Sequence, residues 1–252
     1  MQQLPLPVQL RPEADFAAFV AGPNVEAVAA VTAWSLGEGE RFLYLFGTAG
    51  SGKTHLLQAA CRQGTRIACS AIYLPLGYGE LTPTALDNLE LWELVALDDI
   101  QAIAGDGTWE QGLCDLYNRL RESGRRLLIS ARTPVAALPL TLPDLRSRLG
   151  WGPGYRLLPL PENDCERLLR EAAEHRGLAL GAAAVDYIMR RCPREPGYLL
   201  GLLEEIDRES LRRKCRPTRW LIRRVLDGKP PGESRRGVGK YLNGKVADRP
   251  YN

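Results

Sequence analysis

Metal-binding side chains and cross-links are what this sequence has least of. Its 252 residues hold two histidines, His55 and His175, and six cysteines at 61, 69, 114, 165, 192 and 215, none in a C-x-x-C pair. A zinc site needs clustered ligands at short spacing and a disulfide framework needs paired cysteines, so the thiols read as reduced core or surface groups. No stretch approaches the roughly 18 uncharged apolar residues of a membrane span. Met1-Gln2-Gln3-Leu4 lacks the basic region and apolar core of a signal peptide, which points to the cytoplasm. There is no internal repeat. The net charge of +3 lies entirely from Asp227 onward, where six basic residues face three acids, so residues 1–226 are neutral as a body. A neutral body does not read as a direct nucleic-acid-binding surface. The remaining composition, 45% hydrophobic and 25% charged, is that of an ordinary globular chain.

What is present centres on Gly47-Thr48-Ala49-Gly50-Ser51-Gly52-Lys53-Thr54. An apolar run, Arg41 to Phe46, enters it as a strand, and His55 to Cys61 leaves it with helical periodicity. Strand, G-x-x-x-x-G-K-T loop and helix make a P-loop in its required context. Its glycines let backbone N–H groups close around phosphate, and the helix N-terminus adds partial positive charge. Lys53 is expected to reach the β- and γ-phosphates, and Thr54 to ligate Mg²⁺. Leu94-Val95-Ala96-Leu97-Asp98-Asp99 supplies the second acid that such a site needs. Asp98 is the metal-side carboxylate, and Asp99 the candidate for orienting an attacking water.

Residues 1–12 read as an extended arm, because Pro5, Pro7 and Pro12 remove backbone donors and disfavour helix. A helix is expected from about Asn24, its N-cap. Strands are expected at about 41–46, 67–74, 94–98, 127–130 and 155–159, with helices between them, giving a parallel sheet with crossover helices. After Pro161 only helical periods remain, over 163–175, 182–192, 197–213 and 218–226. The reading is therefore an arm (1–12), an α/β nucleotide domain (13–160), a small all-α domain (161–226) and a basic tail (227–252) with too few apolar residues to fold.

These parts in this order resemble the AAA+ ATPases, in which a P-loop domain is followed by an all-α lid. Leu97-Asp98-Asp99-Ile100-Gln101 resembles the DnaA branch, and Phe16, Phe19, Val20, Gly22 and Asn24 look like the segment that encloses adenine there. Ile103-Ala104-Gly105-Asp106 with Trp109-Glu110, and Leu142-Pro143-Asp144-Leu145 with Ser147-Arg148-Leu149 and Trp151-Gly152, are similar to the Hda-type family within that branch. The resemblance spans roughly residues 13–226. It implies ADP or ATP with Mg²⁺ as cofactor, held by residues 47–54, His55, Val20 and Gly22. Arg194 is implied as a lid arginine that reports the γ-phosphate, and Arg148 (with Arg146 as fallback) as an arginine finger. Gln3, Leu4, Leu6 and Pro7 resemble the short peptide with which bacterial proteins dock on the DNA polymerase sliding clamp.

The function implied is negative regulation of replication initiation: DNA-loaded clamp is bound, and ATP hydrolysis by DnaA is stimulated. DNA is then met only through the clamp, intrinsic ATPase activity is weak at most, and a homo-oligomer is compatible. A DnaC-like helicase loader and a stand-alone P-loop kinase are the alternatives. One departure from the family stands in Leu128-Ile129-Ser130-Ala131-Arg132-Thr133, which lacks the strand-four acid or amide. Only Ser130 or Thr133 is available as its stand-in.

Overall fold

The computed structural model describes residue 10 and residues 14–228. The arm residues Gln3, Leu4, Leu6 and Pro7 and the tail beyond Gly228 lie outside them.

Five short strands form one parallel sheet: β1 (Phe42–Phe46), β2 (Ala71–Pro75), β3 (Leu94–Asp98), β4 (Arg126–Ala131) and β5 (Gly154–Arg156). The strand order is β2-β3-β4-β1-β5. Helix α1 (Val25–Ser35) precedes β1, and three helices lie between strands: α2 (Lys53–Arg66), α3 (Gly107–Glu122) and α4 (Pro143–Leu149). Parallel strands covered on both faces are apolar throughout rather than alternating, and β3 is buried at all five positions. Side-chain alternation sorts its residues between two cores. Val95 and Leu97 pack with Leu113, Leu116 and Leu120 of α3, whereas Leu94 and Ala96 pack with Trp34 of α1 and Leu56 and Leu57 of α2.

The remaining helices, α5 (Glu162–His175), α6 (Ala182–Arg191), α7 (Pro196–Arg213) and α8 (Arg219–Asp227), share a third core. Its centre is Leu169, Ile188, Leu199, Leu202 and Ile206. Each has the apolar stripe of a helix that buries one face. Their bounds agree with the helical periods in the sequence to within a residue. No described helix is long and apolar enough to cross a membrane.

Three expectations are corrected. The strand expected from 67 starts only at Ala71, because α2 runs on to Arg66 and the chain turns through Ala68 at a left-handed φ of 65°. The strand expected at 155–159 is the short edge strand 154–156, after which Leu158 leaves the sheet for Asn24. Asn24 precedes α1 but does not cap it with its side chain. Its Nδ2 donates to the Leu158 carbonyl at 3.0 Å and its Oδ1 accepts from the Leu158 N–H at 2.8 Å.

β4 lies between the P-loop strand β1 and the acid-bearing strand β3. The C-terminal ends of the three strands therefore line up along one edge of the sheet, where ligands of open α/β sheets bind.

Candidate nucleotide site

The loop between β1 and α2 has the backbone that a phosphate cradle needs. Gly50 and Gly52 have φ of +78° and +95°, a region that side chains other than glycine rarely adopt. Space is as tight as torsion. A methyl group on Gly47 would lie 2.4 Å from the Leu157 carbonyl oxygen, and one on Gly52 would lie 2.6 Å from the Phe19 ring.

Lys53 begins α2 and is buried. Its Nζ donates to the carbonyls of Gly47 and Thr48, both at 2.8 Å, and to Ser51 Oγ at 3.4 Å. The ammonium thus sits inside the loop it belongs to. Burial pushes its pKa down, as does the charge of Arg132, while Asp99 and Asp98 push it up, and the net direction is down.

Asp98 ends β3 and is buried to 3% exposure. Its Oδ2 accepts from Thr54 Oγ1 at 2.7 Å and from the Tyr73 hydroxyl at 2.8 Å, and its Oδ1 accepts from Ser130 Oγ. Burial raises its pKa, and the negative charge of Asp99 adds to that. The three hydroxyl donors lower it, but not enough to restore the ordinary value. The donor set of Thr54, Asp98 and the loop N–H groups fits Mg²⁺ with a nucleotide phosphate.

Asp99 sits at φ 62°, the left-handed region that aspartate tolerates better than most residues. Its N–H donates to Ser130 Oγ at 2.9 Å, and its Oδ1 accepts from Gln101 Nε2 at 2.7 Å. Ser130 is fully buried and uses its hydroxyl to tie β4 to Asp98 at the end of β3 and to Asp99 just after it. Thr133 contributes its carbonyl to the Tyr44 hydroxyl at 2.8 Å.

The segment before α1 reaches the same edge. His55 Nε2 lies 2.9 Å from the Asp15 carbonyl oxygen, and the His55 ring lies 5.5 Å from Phe19. Asp15 also pairs with Arg66 at 2.8 Å, so the segment is held at both ends of α2. Val20 follows half-buried. Gly22 turns at φ +49° against Leu160 and Asp164, where the nucleotide domain meets α5.

Arg194 does not reach over the loop. It pairs with Glu162 at 2.8 Å, with both side chains about half exposed. Its neighbour Glu195 is the lid residue at the P-loop, and a methyl group on Gly50 would lie 2.9 Å from Glu195 Oε2. Neither Glu195 nor Tyr73 is marked by any local motif. Both arrive through tertiary packing.

Arg148 lies in the last turn of α4. Its Nε donates to Asn118 Oδ1 at 2.8 Å, its Nη1 pairs with Asp144 at 2.5 Å, and its guanidinium lies 5.9 Å from the centre of the Trp151 ring. Arg146 is spent differently, donating to the carbonyls of Val135, Ala136 and Leu140. At the start of α4, the fully buried Glu110 of α3 accepts from the N–H groups of Gly105, Thr141 and Leu142 and from the Thr141 hydroxyl. Burial raises the Glu110 pKa, but these donors outweigh it and the net direction is down.

With this geometry in place, residues 162–226 match the protein family described as "Hda, lid domain". Over its helical lid the chain is thus Hda-like. Domain III of the Thermotoga maritima replication initiation protein DnaA superposes with a TM-score of 0.76 at 21% identity, over 88% of this chain and all of that one. DnaA from Aquifex aeolicus, solved bound to AMPPCP, gives 0.67 at 20% identity over 82% of this chain and 71% of that one. The Thermotoga maritima RuvB Holliday junction branch migration motor gives 0.64 at 19%, over 87% and 72%. At these identities the solved structures speak for the AAA+ fold, while the likeness to Hda rests on the lid, residues 162–226.

Proposed function

We propose that this Hda-like chain is a nucleotide-holding negative regulator of replication initiation that acts in the cytoplasm. It docks on the sliding clamp through Gln3, Leu4, Leu6 and Pro7 and stimulates ATP hydrolysis by DnaA with Arg148. The Hda lid match over residues 162–226 carries this reading. The AMPPCP carried by the Aquifex aeolicus neighbour supports an adenine nucleotide at residues 47–54. Bound Mg²⁺ supplies positive charge that holds the phosphates in place. The chain's own residues do the rest: the loop N–H groups and Lys53 bind phosphate, Thr54 and Asp98 hold the metal side, and Phe19, Val20 and Gly22 border the base.

Of the two arginines on α4, Arg148 is the one free to act in trans. Arg146 closes three backbone carbonyls, and pulling it away would leave them without their donors. Arg148 is held by Asn118 and by Asp144, an i,i+4 partner that is itself 63% exposed although the Arg148 side chain is only 17% exposed. The carboxylate side of this pair faces solvent, where a partner's phosphate can compete for the guanidinium. Fingers supplied in trans contribute about 10³–10⁵ in rate. Asp98 and Asp99 stay with the chain's own nucleotide. Ser130 is committed to tying them together, which fits a site that holds more than it turns over.

The deciding measurement is ATP hydrolysis by DnaA with and without this protein and DNA-loaded clamp. Stimulation that needs both is expected. Arg148→Ala should bring hydrolysis back to the rate of DnaA alone while nucleotide binding is retained. Undiminished stimulation by that variant removes the finger assignment. No stimulation by the wild type, together with capture of a replicative helicase instead of the clamp, favours the helicase-loader reading.

A further inference from the structure

The neutral body conceals a separation of charge. Residues 1–209 carry twenty basic side chains against twenty-seven acids, net −7, and residues 210–226 carry seven basic side chains and no acid. This acid-free stretch is the end of α7, the turn after it and α8. Most of it is exposed, from Leu211 (71%) to Trp220 (57%), with Pro217 turned inward.

The basic groups are arranged on two aromatic rings. Arg213 and Arg224 lie 5.7 and 5.6 Å from the centre of the Trp220 ring. Arg219 and Arg191 lie 4.9 and 5.5 Å from the centre of the Tyr187 ring. Because Tyr187 belongs to α6, Arg213 to α7 and Trp220 to α8, these contacts bring three helices onto one face of the lid. Glu209 pairs with Arg212 and Arg213, and Asp227 with Arg223. Arg191, Arg219 and Arg224 have no carboxylate partner among the described residues. Stacking fixes the plane of a guanidinium while leaving its N–H edge free to donate.

From this face we infer that the lid binds duplex DNA directly, through the phosphate backbone and without reading sequence. The placement is independent of the nucleotide site and of the finger. Duplex DNA presents a charge every 1.7 Å or so along its axis, which suits a field of fixed cations spread over three helix ends. Each ring already carries two guanidinium groups, so neither offers the bare stacking platform that single strands favour. Chain continuity adds to the argument. Beyond Gly228 the sequence carries six more basic residues against two acids, so the acid-poor character continues from the end of α8.

The test is fluorescence anisotropy of the full chain with a labelled 30-base-pair duplex of arbitrary sequence, titrated over a range of salt. The same length of single strand and vesicles of phosphatidylglycerol serve as further arms. Expected are duplex binding that weakens linearly in the logarithm of salt concentration and weaker binding of the single strand. Arg219→Glu with Arg224→Glu should cost tenfold or more and lower the salt slope by about 2. The milder pair Arg219→Gln with Arg224→Gln should act in the same direction, and unchanged nucleotide affinity confirms that both variants fold. A full-length variant with the tail residues Lys229, Arg235, Arg236, Lys240, Lys245 and Arg249 changed to Gln should keep most of the affinity. Binding that depends on the tail and ignores Arg219 and Arg224 overturns the inference, as does preference for single strand or for vesicles.

Discussion

Glu110 shows how much one side chain can organise. It takes hydrogen bonds from three backbone N–H groups on two separate turns, fastening α3 to the segment that starts α4. Replacing it by Gln turns an acceptor-only carboxylate into an amide with an N–H₂ facing those donors. The expected loss is about 3 kcal/mol in urea unfolding at pH 7, since buried N–H groups lose charged partners. The pH dependence fixes the sign. A carboxylate held below its unfolded value of about 4.3 stabilises the fold fully above that value. This contribution is lost as pH falls through the depressed native pKa. The gap between wild type and Glu110→Gln should therefore narrow on acidification below pH 4, and a constant gap would mean that packing, not charge, is at stake. Thr54 and Asp98 were legible in the sequence because a P-loop and a strand-end acid are local patterns. Their partners were not. Tyr73 and Ser130 reach Asp98 from 25 and 32 residues away, across neighbouring strands. Glu195, which faces the loop where Arg194 was expected, is placed by the docking of the lid.

Among the elements, the P-loop was the easiest to read and is the most constrained. Gly47 needs its missing side chain for space, because the Leu157 carbonyl that a methyl group would strike belongs to a residue whose N–H bonds the end of β1 at 2.7 Å. Gly47→Ala must either part β5 from β1 or move the loop. Nucleotide affinity should fall tenfold or more, as measured with a fluorescent ADP analogue, with a lower melting temperature. Full affinity in that variant would show that the loop relaxes without cost. Strand ends were less legible than strand centres. Arg66-Ile67-Ala68-Cys69 is apolar enough to extend a strand, yet its N-terminal part finishes α2 and the rest turns, which only a left-handed Ala68 makes possible. Asn24 looked like a cap for the helix that follows it. It serves instead as a two-way tie to Leu158, a backbone partner 134 residues away that local sequence cannot reveal.

In the whole molecule, core and lid meet where the nucleotide is expected, so a ligand bound there has a route to the lid. Among the described residues, Glu195 lies against Gly50 and Asp164 of α5 against Gly22, while Asn24 ties the Leu158 backbone just before the lid begins. A ligand that binds only the folded core stabilises it by about 2.7 kcal/mol at a hundred times its dissociation constant. If the contacts transmit that gain, Mg²⁺-ADP should slow amide exchange on α5 and α7 as well as on α2. Asp164→Ala separates transmission from binding. It removes the lid side of the contact with Gly22 and lies on α5, outside the residues proposed to hold the nucleotide. In that variant protection of α2 by the nucleotide should persist while protection of α5 and α7 falls to the level without ligand. A wild-type lid whose exchange ignores Mg²⁺-ADP would show that the two parts share a boundary but no coupling. Any nucleotide regulation of the proposed DnaA contact would then have to run through the α/β core alone.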